Sequence, residues 1–237
     1  MKTHILAAIS AITLLPLDAT AQTVLNGGEL EFRYSAFTDL DDADKTQFAG
    51  SYELGFSPTF AFQGDVSAGN FGFIDEWFLN GTLHGIYQPT ERASFGVFFG
   101  SETIADLDNE NPYFGIEAAY EFNLAYMQGY ANIFEDGDDT VQYGISGGLA
   151  SRGLGYNRLS IDRIEDDDTS FTRYALLGGF EIANSVSLVG EFGTLEVEAD
   201  GNSDSETFFG LGVRYGFGRD GKTTFDRRGS LTILPGL

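Results

Sequence analysis

Ionisable side chains recur on the polar side of segments in which every second residue is apolar. In a β-strand such residues share one face, because successive side chains point to opposite sides. Acidic and basic types are mixed on this face, which suits either a hydrated lining that filters solutes or a network of internal ion pairs. The residues concerned are Arg33, Glu53, Asp65, His84, Glu117, Glu121, Arg158, Arg173, Glu191 and Arg214.

A second group consists of carboxylates crowded into polar connections between these segments. Dense carboxylates suit loose binding of Ca²⁺ or Mg²⁺, but none of the clusters matches the full calcium-binding loop with its glycine and terminal glutamate. We therefore predict no dedicated metal site and no cofactor. The clustered residues are Asp39, Asp41, Asp42, Asp44, Asp136, Asp138, Asp139, Asp166, Asp167 and Asp168.

The histidine at position 84 raises the question of catalysis. A serine-dependent lipid hydrolase pairs a histidine with a serine nucleophile. His84 is the one histidine after residue 21, and no serine-containing nucleophile elbow is visible. Its spacing from Asn80 and Thr82 places it on the polar strand face. We therefore predict that the protein is not an enzyme, and a lipid-modifying enzyme is the third hypothesis for its function.

Composition excludes several classes of protein. The 237 residues include 13 Lys and Arg against 36 Asp and Glu, for a net charge of -23. Nucleic-acid binding needs a basic surface, and so does docking on anionic lipid. Cysteine is absent, so no disulfide framework forms. With 42% apolar residues, 22 Phe and 11 Tyr, the chain is too hydrophobic for intrinsic disorder.

The first 21 residues have the pattern of a secretory signal peptide. Lys2 precedes an apolar stretch over residues 5–17, and Ala19-Thr20-Ala21 matches a small-x-small cleavage site. The alternative is an uncleaved anchor, but this stretch is short for a spanning helix. We expect an exported protein whose mature chain begins at Gln22.

Nearly every later segment has a period of two, which indicates β-strands with one apolar face. Leu30, Phe32 and Tyr34, for example, alternate with Glu31 and Arg33. Twelve such segments can be counted, and counts of ten and fourteen remain open. Most are 9–11 residues long, which exceeds the usual strand of a soluble sheet and suits a tilted strand that crosses a bilayer.

The connections between these segments alternate between short and long, and in a meander alternate connections lie at the same end. The long connections hold 23 of the acidic residues and one base, Lys45, whereas the short connections hold only Glu91 and Arg152. The pattern predicts one acidic end and one nearly neutral end. The long connections are residues 38–46, 68–76, 101–112, 135–140, 165–169 and 196–206.

In these features the chain resembles the porin-like outer-membrane β-barrels of Gram-negative bacteria, which have export signals, strands of about ten residues, short turns at one end and longer loops at the other. The last segment, residues 210–217, resembles the signal that barrel-assembly machinery reads, with aromatics alternating up to Phe217. In most such proteins the aromatic residue ends the chain, whereas here twenty residues follow Phe217.

The resemblance implies an all-β fold, an up-and-down antiparallel transmembrane barrel of about 12 strands over residues 22–217. Strand parity then puts residues 218–237 in the periplasm, where this relatively basic tail could contact peptidoglycan, thread into the acidic lumen or hang free. Aromatic residues at strand ends are expected to form two interfacial girdles. They are Trp77, Tyr113 and Phe134 at the long-loop end and Phe56, Tyr87, Phe122 and Phe217 at the short-turn end.

For function, the resemblance implies an integral outer-membrane channel for passive diffusion of small hydrophilic solutes. The ionisable inner face would line its pore, and the acidic clusters would form an extracellular mouth that favours cations. The alternative is a closed structural or surface-interaction barrel whose acidic loops bind a partner or divalent cations. Expected partners are outer-membrane lipid, lipopolysaccharide, the barrel-assembly machinery and small hydrophilic solutes, with no nucleic acid.

Overall fold

The computed structural model describes residues 23–40, 43–105, 110–135, 140–151 and 155–235. The predicted signal peptide lies outside these ranges and stays a prediction. So do five of the clustered carboxylates, Asp41, Asp42, Asp136, Asp138 and Asp139.

Twelve antiparallel strands follow one another around a closed barrel, in which the first strand pairs with the last. The predicted up-and-down barrel of twelve strands is therefore confirmed. The strands are β1 (Val24–Phe37), β2 (Asp44–Gly55), β3 (Phe60–Phe71), β4 (Glu76–Thr90), β5 (Ala93–Ile104), β6 (Glu110–Glu121), β7 (Ala125–Phe134), β8 (Val141–Ser151), β9 (Gly155–Asp166), β10 (Thr169–Ala183), β11 (Val186–Ala199) and β12 (Asn202–Gly218).

The outer surface of the barrel is an apolar belt. Along each strand large apolar side chains face outward and alternate with buried, mostly polar ones. In water such a surface would be costly, whereas in a bilayer it faces hydrocarbon, and closure leaves no strand edge exposed to lipid. The barrel therefore spans a membrane. Members of the belt include Leu30, Phe32, Phe48, Val97, Ile116, Ile145, Leu176, Phe192 and Leu211.

At the long-loop end several predicted loops are strand in the structure. Strands β9 and β10 pair as far as Thr169 with Asp166, and β11 and β12 as far as Ala199 with Asn202. Loops were predicted over residues 165–169 and 196–206, which lie between the segments of alternating apolar and polar residues. Beyond the belt, however, both faces of a hairpin meet water, so a strand can continue there without an apolar face.

Two aromatic residues predicted for the interfacial girdle face the lumen instead. Tyr113 and Phe134 are buried and pack with Phe98 and Tyr130. The reason is strand parity, because Tyr113 is four residues from the inward Glu117 and therefore lies on the same face. Trp77, by contrast, is outward and exposed, as predicted.

After β12 the chain folds back into the barrel. Gly218 and Gly221 have positive φ angles of 79° and 66°, which glycine adopts without the strain of a side chain. Residues 219–235, which we call the tail, then follow the lumen and include one helical turn, α1 (Ser230–Ile233). Within the part of the chain that the structure describes, no helix is long and apolar enough to cross a membrane. Of the three courses that the sequence left open for the tail, the structure has the one that threads into the lumen, where the tail contacts the inner wall.

Candidate functional site

The inner face of the barrel carries all ten residues for which the sequence predicted a pore-lining position. Nine lie among the polar contacts inside the lumen, and Glu121 lies near the short-turn opening, 3.5 Å from the Lys222 ammonium. Their role in conduction stays a prediction. Their strands are β1 for Arg33, β2 for Glu53, β3 for Asp65, β4 for His84, β6 for Glu117 and Glu121, β9 for Arg158, β10 for Arg173, β11 for Glu191 and β12 for Arg214.

Arginines from neighbouring strands form a ladder of ion pairs on one wall. The guanidinium of Arg33 lies 2.6 Å from Glu31 and 2.7 Å from Glu191. Arg214 lies 2.6 Å from the other oxygen of Glu31, and Arg173 pairs with Glu191. Charges that are buried from water need such partners. The ladder therefore neutralises most of the charge that this wall presents.

His84 sits in the opposite wall between two carboxylates. Its Nε2 lies 2.9 Å from Asp65 Oδ2 and its Nδ1 lies 2.6 Å from Glu117 Oε1. Two carboxylate acceptors require two N–H donors, which only the imidazolium form provides. With both nitrogens engaged, His84 is not placed to accept a proton from a serine. Its position favours a role in ordering the lumen over the enzyme hypothesis.

The tail enters the lumen at the short-turn end and is held there by its main chain. The amide of Thr224 donates to Glu53 Oε2 at 2.7 Å. The side chain of Gln63 makes two bonds to Phe225: its Nε2 donates to the carbonyl oxygen at 2.9 Å, and its Oε1 accepts from the amide at 3.1 Å. The Phe225 ring packs among Ala61, Ile86 and Ala119.

In the middle of the lumen three consecutive charged residues of the tail reach different walls. Asp226 pairs with Arg158 and with the side-chain amide of Gln128. Arg227 reaches carboxylates on β1, and Arg228 reaches Glu117 on β6. These contacts hold the tail across the width of the barrel.

Near the long-loop end α1 is bracketed by opposite charges. Glu102 accepts bonds from the Ser230 hydroxyl and from the Leu231 amide, the latter at 3.2 Å. The buried Lys45 ammonium donates to the carbonyl oxygens of Leu231 at 2.5 Å and Leu234 at 2.7 Å. A carboxylate at the start of a helical turn and an ammonium at its end match the alignment of the peptide dipoles.

Two apolar clusters on the inner wall receive the end of the tail. Ile233 packs on the cluster of Phe98, Tyr113, Tyr130 and Phe134, and Leu234 packs on Phe37, Ala43, Ala175, Leu195 and Phe208. Between the tail and the arginine ladder a cavity of about 70 Å³ remains. The tail thus runs through the lumen from one end to the other.

The described members of the acidic group lie at the long-loop end of the barrel. Asp39, Asp167 and Asp168 are exposed, and Asp44 accepts a bond from the Tyr34 hydroxyl at 3.2 Å. Asp166 ends β9. Across the described ranges no three acidic or histidine side chains are grouped to hold a metal ion. Loose divalent binding, and an extracellular position for this end, stay predictions.

Several residues that hold the tail were missed at the sequence level. Lys45 and Glu102 were assigned to acidic loops. However, Lys45 is two residues from the inward Gln47, and Glu102 is four residues from the inward Phe98, so both side chains share the inward face of their strands. Counting parity beyond the apolar part of each strand would have found both. For Arg227 and Arg228 the only signal was that they are basic residues in an acidic protein.

No protein-family model matches the chain, and no curated protein is similar to it. Solved structures do match. The KdgM porin has a TM-score of 0.62 at 11% identity, covering 80% of this chain and 99% of that chain. The NanC porin has a TM-score of 0.59 at 7% identity, covering 78% and 98%. An outer-membrane channel from Pseudomonas putida F1 has a TM-score of 0.55 at 14% identity, covering 86% and 100%.

The fold is that of the outer-membrane porins. The fold that the resemblance implied is thereby confirmed, and an integral outer-membrane barrel agrees with this fold and with the apolar belt. At these low identities a porin fold describes architecture and leaves the solute open. The structures named here are porins and channels, not enzymes.

Proposed function

We propose that the protein is a porin-like channel for small hydrophilic solutes, and that its own tail closes it in the state described. The observation that carries the proposal is the polar, ionisable inner wall of a membrane-spanning barrel. The tail fills the lumen inside this wall and is held there by hydrogen bonds and ion pairs. Barrels of eight strands are filled by their own side chains and those of sixteen leave a channel, so twelve strands fall between. Here a separate segment, held by hydrogen bonds and ion pairs, occupies that intermediate space.

The charge of the wall supports a preference for cations. Strand side chains with polar contacts in the lumen include eight carboxylates and six basic groups, of which His84 is one. Without the tail the wall would therefore be net negative, and a negative channel concentrates cations. The carboxylates are Glu29, Glu31, Glu53, Asp65, Glu102, Glu117, Asp162 and Glu191, and the basic groups are Arg33, Lys45, His84, Arg158, Arg173 and Arg214.

The competing hypothesis is a channel that prefers anions. The KdgM porin has been solved in complex with disordered oligogalacturonate, an acidic sugar polymer. In this barrel the arginine wall could face such a solute, but its guanidinium groups are paired with Glu31, Asp162 and Glu191. That pairing favours cations over anions.

Full-length protein in planar bilayers under a salt gradient tests the proposal. We expect rare stepwise openings whose reversal potential indicates cation preference, and a preference that weakens as salt shortens the screening length to about 8–10 Å and below. A reversal potential of the opposite sign would contradict the cation preference.

A closed structural barrel is the second candidate, and the completeness of the tail contacts favours it. In that case the protein would stay silent across many insertions, and variants that weaken the tail contacts would stay silent as well. Silence of the full-length protein together with conduction by such variants supports the tail-closed channel instead.

A further inference from the structure

The wall of the lumen binds the tail as a receptor binds a peptide, and two guanidinium groups are central to this binding. Both belong to adjacent residues, Arg227 and Arg228, and both are nearly excluded from solvent, with side-chain exposures of 11% and 3%. Each guanidinium occupies a separate position formed by strand side chains. The two positions lie on different walls, at β1 and at β6.

The position of Arg228 combines a carboxylate with aromatic rings. Its Nε lies 2.9 Å and its Nη2 lies 2.8 Å from Glu117 Oε2, and Nη2 also donates to Gln128 Oε1 at 3.3 Å. The guanidinium carbon lies 4.2 Å from the centre of the Tyr130 ring and 5.9 Å from that of Phe98. Several N–H groups engaged in one plane, with an aromatic face against that plane, match a guanidinium and not an ammonium.

The position of Arg227 consists of carboxylates from one strand. Its Nη1 lies 2.9 Å from Glu29 Oε1, and its Nη2 lies 3.3 Å from Glu31 Oε1. Here two nitrogens of one guanidinium each face a different carboxylate. When the tail is absent, Glu31 keeps Arg33 and Arg214, and Glu117 keeps His84. Both positions would then retain oriented acceptors facing an aqueous lumen.

We infer that these are two guanidinium-binding positions of the channel, filled by the tail in the closed state and open to guanidinium-bearing solutes, such as arginine or short arginine-containing peptides, when the tail leaves. The inference rests on the proposed function, since it assumes that solutes reach the lumen. It adds the class of solute that the wall recognises.

Chemical rescue of the full-length Arg228→Ala variant tests the inference. The variant should conduct more than the wild type, because the tail loses its contacts to Glu117 and Tyr130. Added methylguanidinium should then reduce the current, and it should act at an about tenfold lower concentration than methylammonium. Arg219→Ala is the matched control, because Arg219 is exposed and forms an ion pair with its neighbour Asp220.

A second readout separates failure of the inference from failure of the channel proposal. In detergent, methylguanidinium should raise the melting temperature of Arg228→Ala and leave that of Arg219→Ala unchanged. Equal action of the two cations on both current and melting, or no action of either, would overturn the inference. If every variant is silent while the melting shift is present, the binding position stands and the channel proposal fails. Arg228→Lys keeps the charge and should still conduct more than the wild type.

Discussion

A chain that ends at Gly218 is expected to conduct steadily where the full-length chain is mostly closed. Closure of the barrel needs no residue of the tail, because β1 pairs with β12 from Phe37 opposite Phe208 to Gly27 opposite Gly218. Removal of the tail takes away the segment that fills the lumen. Breaking even one buried ion pair costs about 3–5 kcal/mol, and each 1.4 kcal/mol is about tenfold in an equilibrium. The ratio of open to closed channels should therefore rise by roughly a hundredfold or more.

Single-channel recording of both proteins measures this change. Folding of the truncated chain is checked first by its heat-modifiable migration on a gel, which reports an intact barrel. A truncated protein that folds and inserts but conducts no more often than the full-length chain would contradict the assignment of the tail as the closing segment.

Substitution of Gly229 by Ala is expected to open the channel without any change in charge. Gly229 has φ 100° and ψ 145°, a conformation that costs other residues about 1–3 kcal/mol. A Cβ there would lie 1.9 Å from Asn80 Nδ2 and 2.7 Å from Glu102 Oε2, so the tail would have to shift away from Glu102. From the backbone cost alone, the ratio of open to closed channels should rise by about tenfold or more.

Gly221→Ala provides the matched control for this substitution. Gly221 also has a positive φ, 66°, but a Cβ there would have no atom within 4 Å. The control has a backbone cost of its own but lacks the collision, so it should open the channel less than Gly229→Ala does, and the difference measures the collision. Equal single-channel behaviour of the two variants would show that the contact of Gly229 with Asn80 and Glu102 does not hold the tail.

The barrel could be predicted from the sequence because membrane strands repeat their pattern every two residues. Once Phe32 is outward, Glu31 and Arg33 must be inward, and the same reasoning places Glu117 and Arg173. Strand ends were harder to predict. Beyond the belt, both faces of a strand carry polar residues such as Glu198 and Asp204. The alternation of apolar and polar residues that marks a strand therefore disappears there.

The path of the tail could not be predicted in the same way. Its contacts are made by single residues with partners far away in sequence, as Phe225 with Gln63 and Arg228 with Glu117. Such pairings leave no periodic pattern. The sequence supplied only complementary charge, which was compatible with threading into the lumen but equally with a free periplasmic tail.

The most direct measurement of the central claim, that the tail closes the lumen, is a reversible cross-link between tail and wall. The Ser67 and Thr232 hydroxyl oxygens lie 2.7 Å apart, close enough for cysteines at these positions to approach disulfide geometry, and the chain has no other cysteine. In Ser67→Cys/Thr232→Cys we predict that mild oxidation forms the cross-link in membranes. We also predict that the oxidised channel is silent and that reductant restores its openings in the same bilayer. Cysteines that stay unpaired, or a cross-linked protein that conducts like the reduced one, would contradict the account.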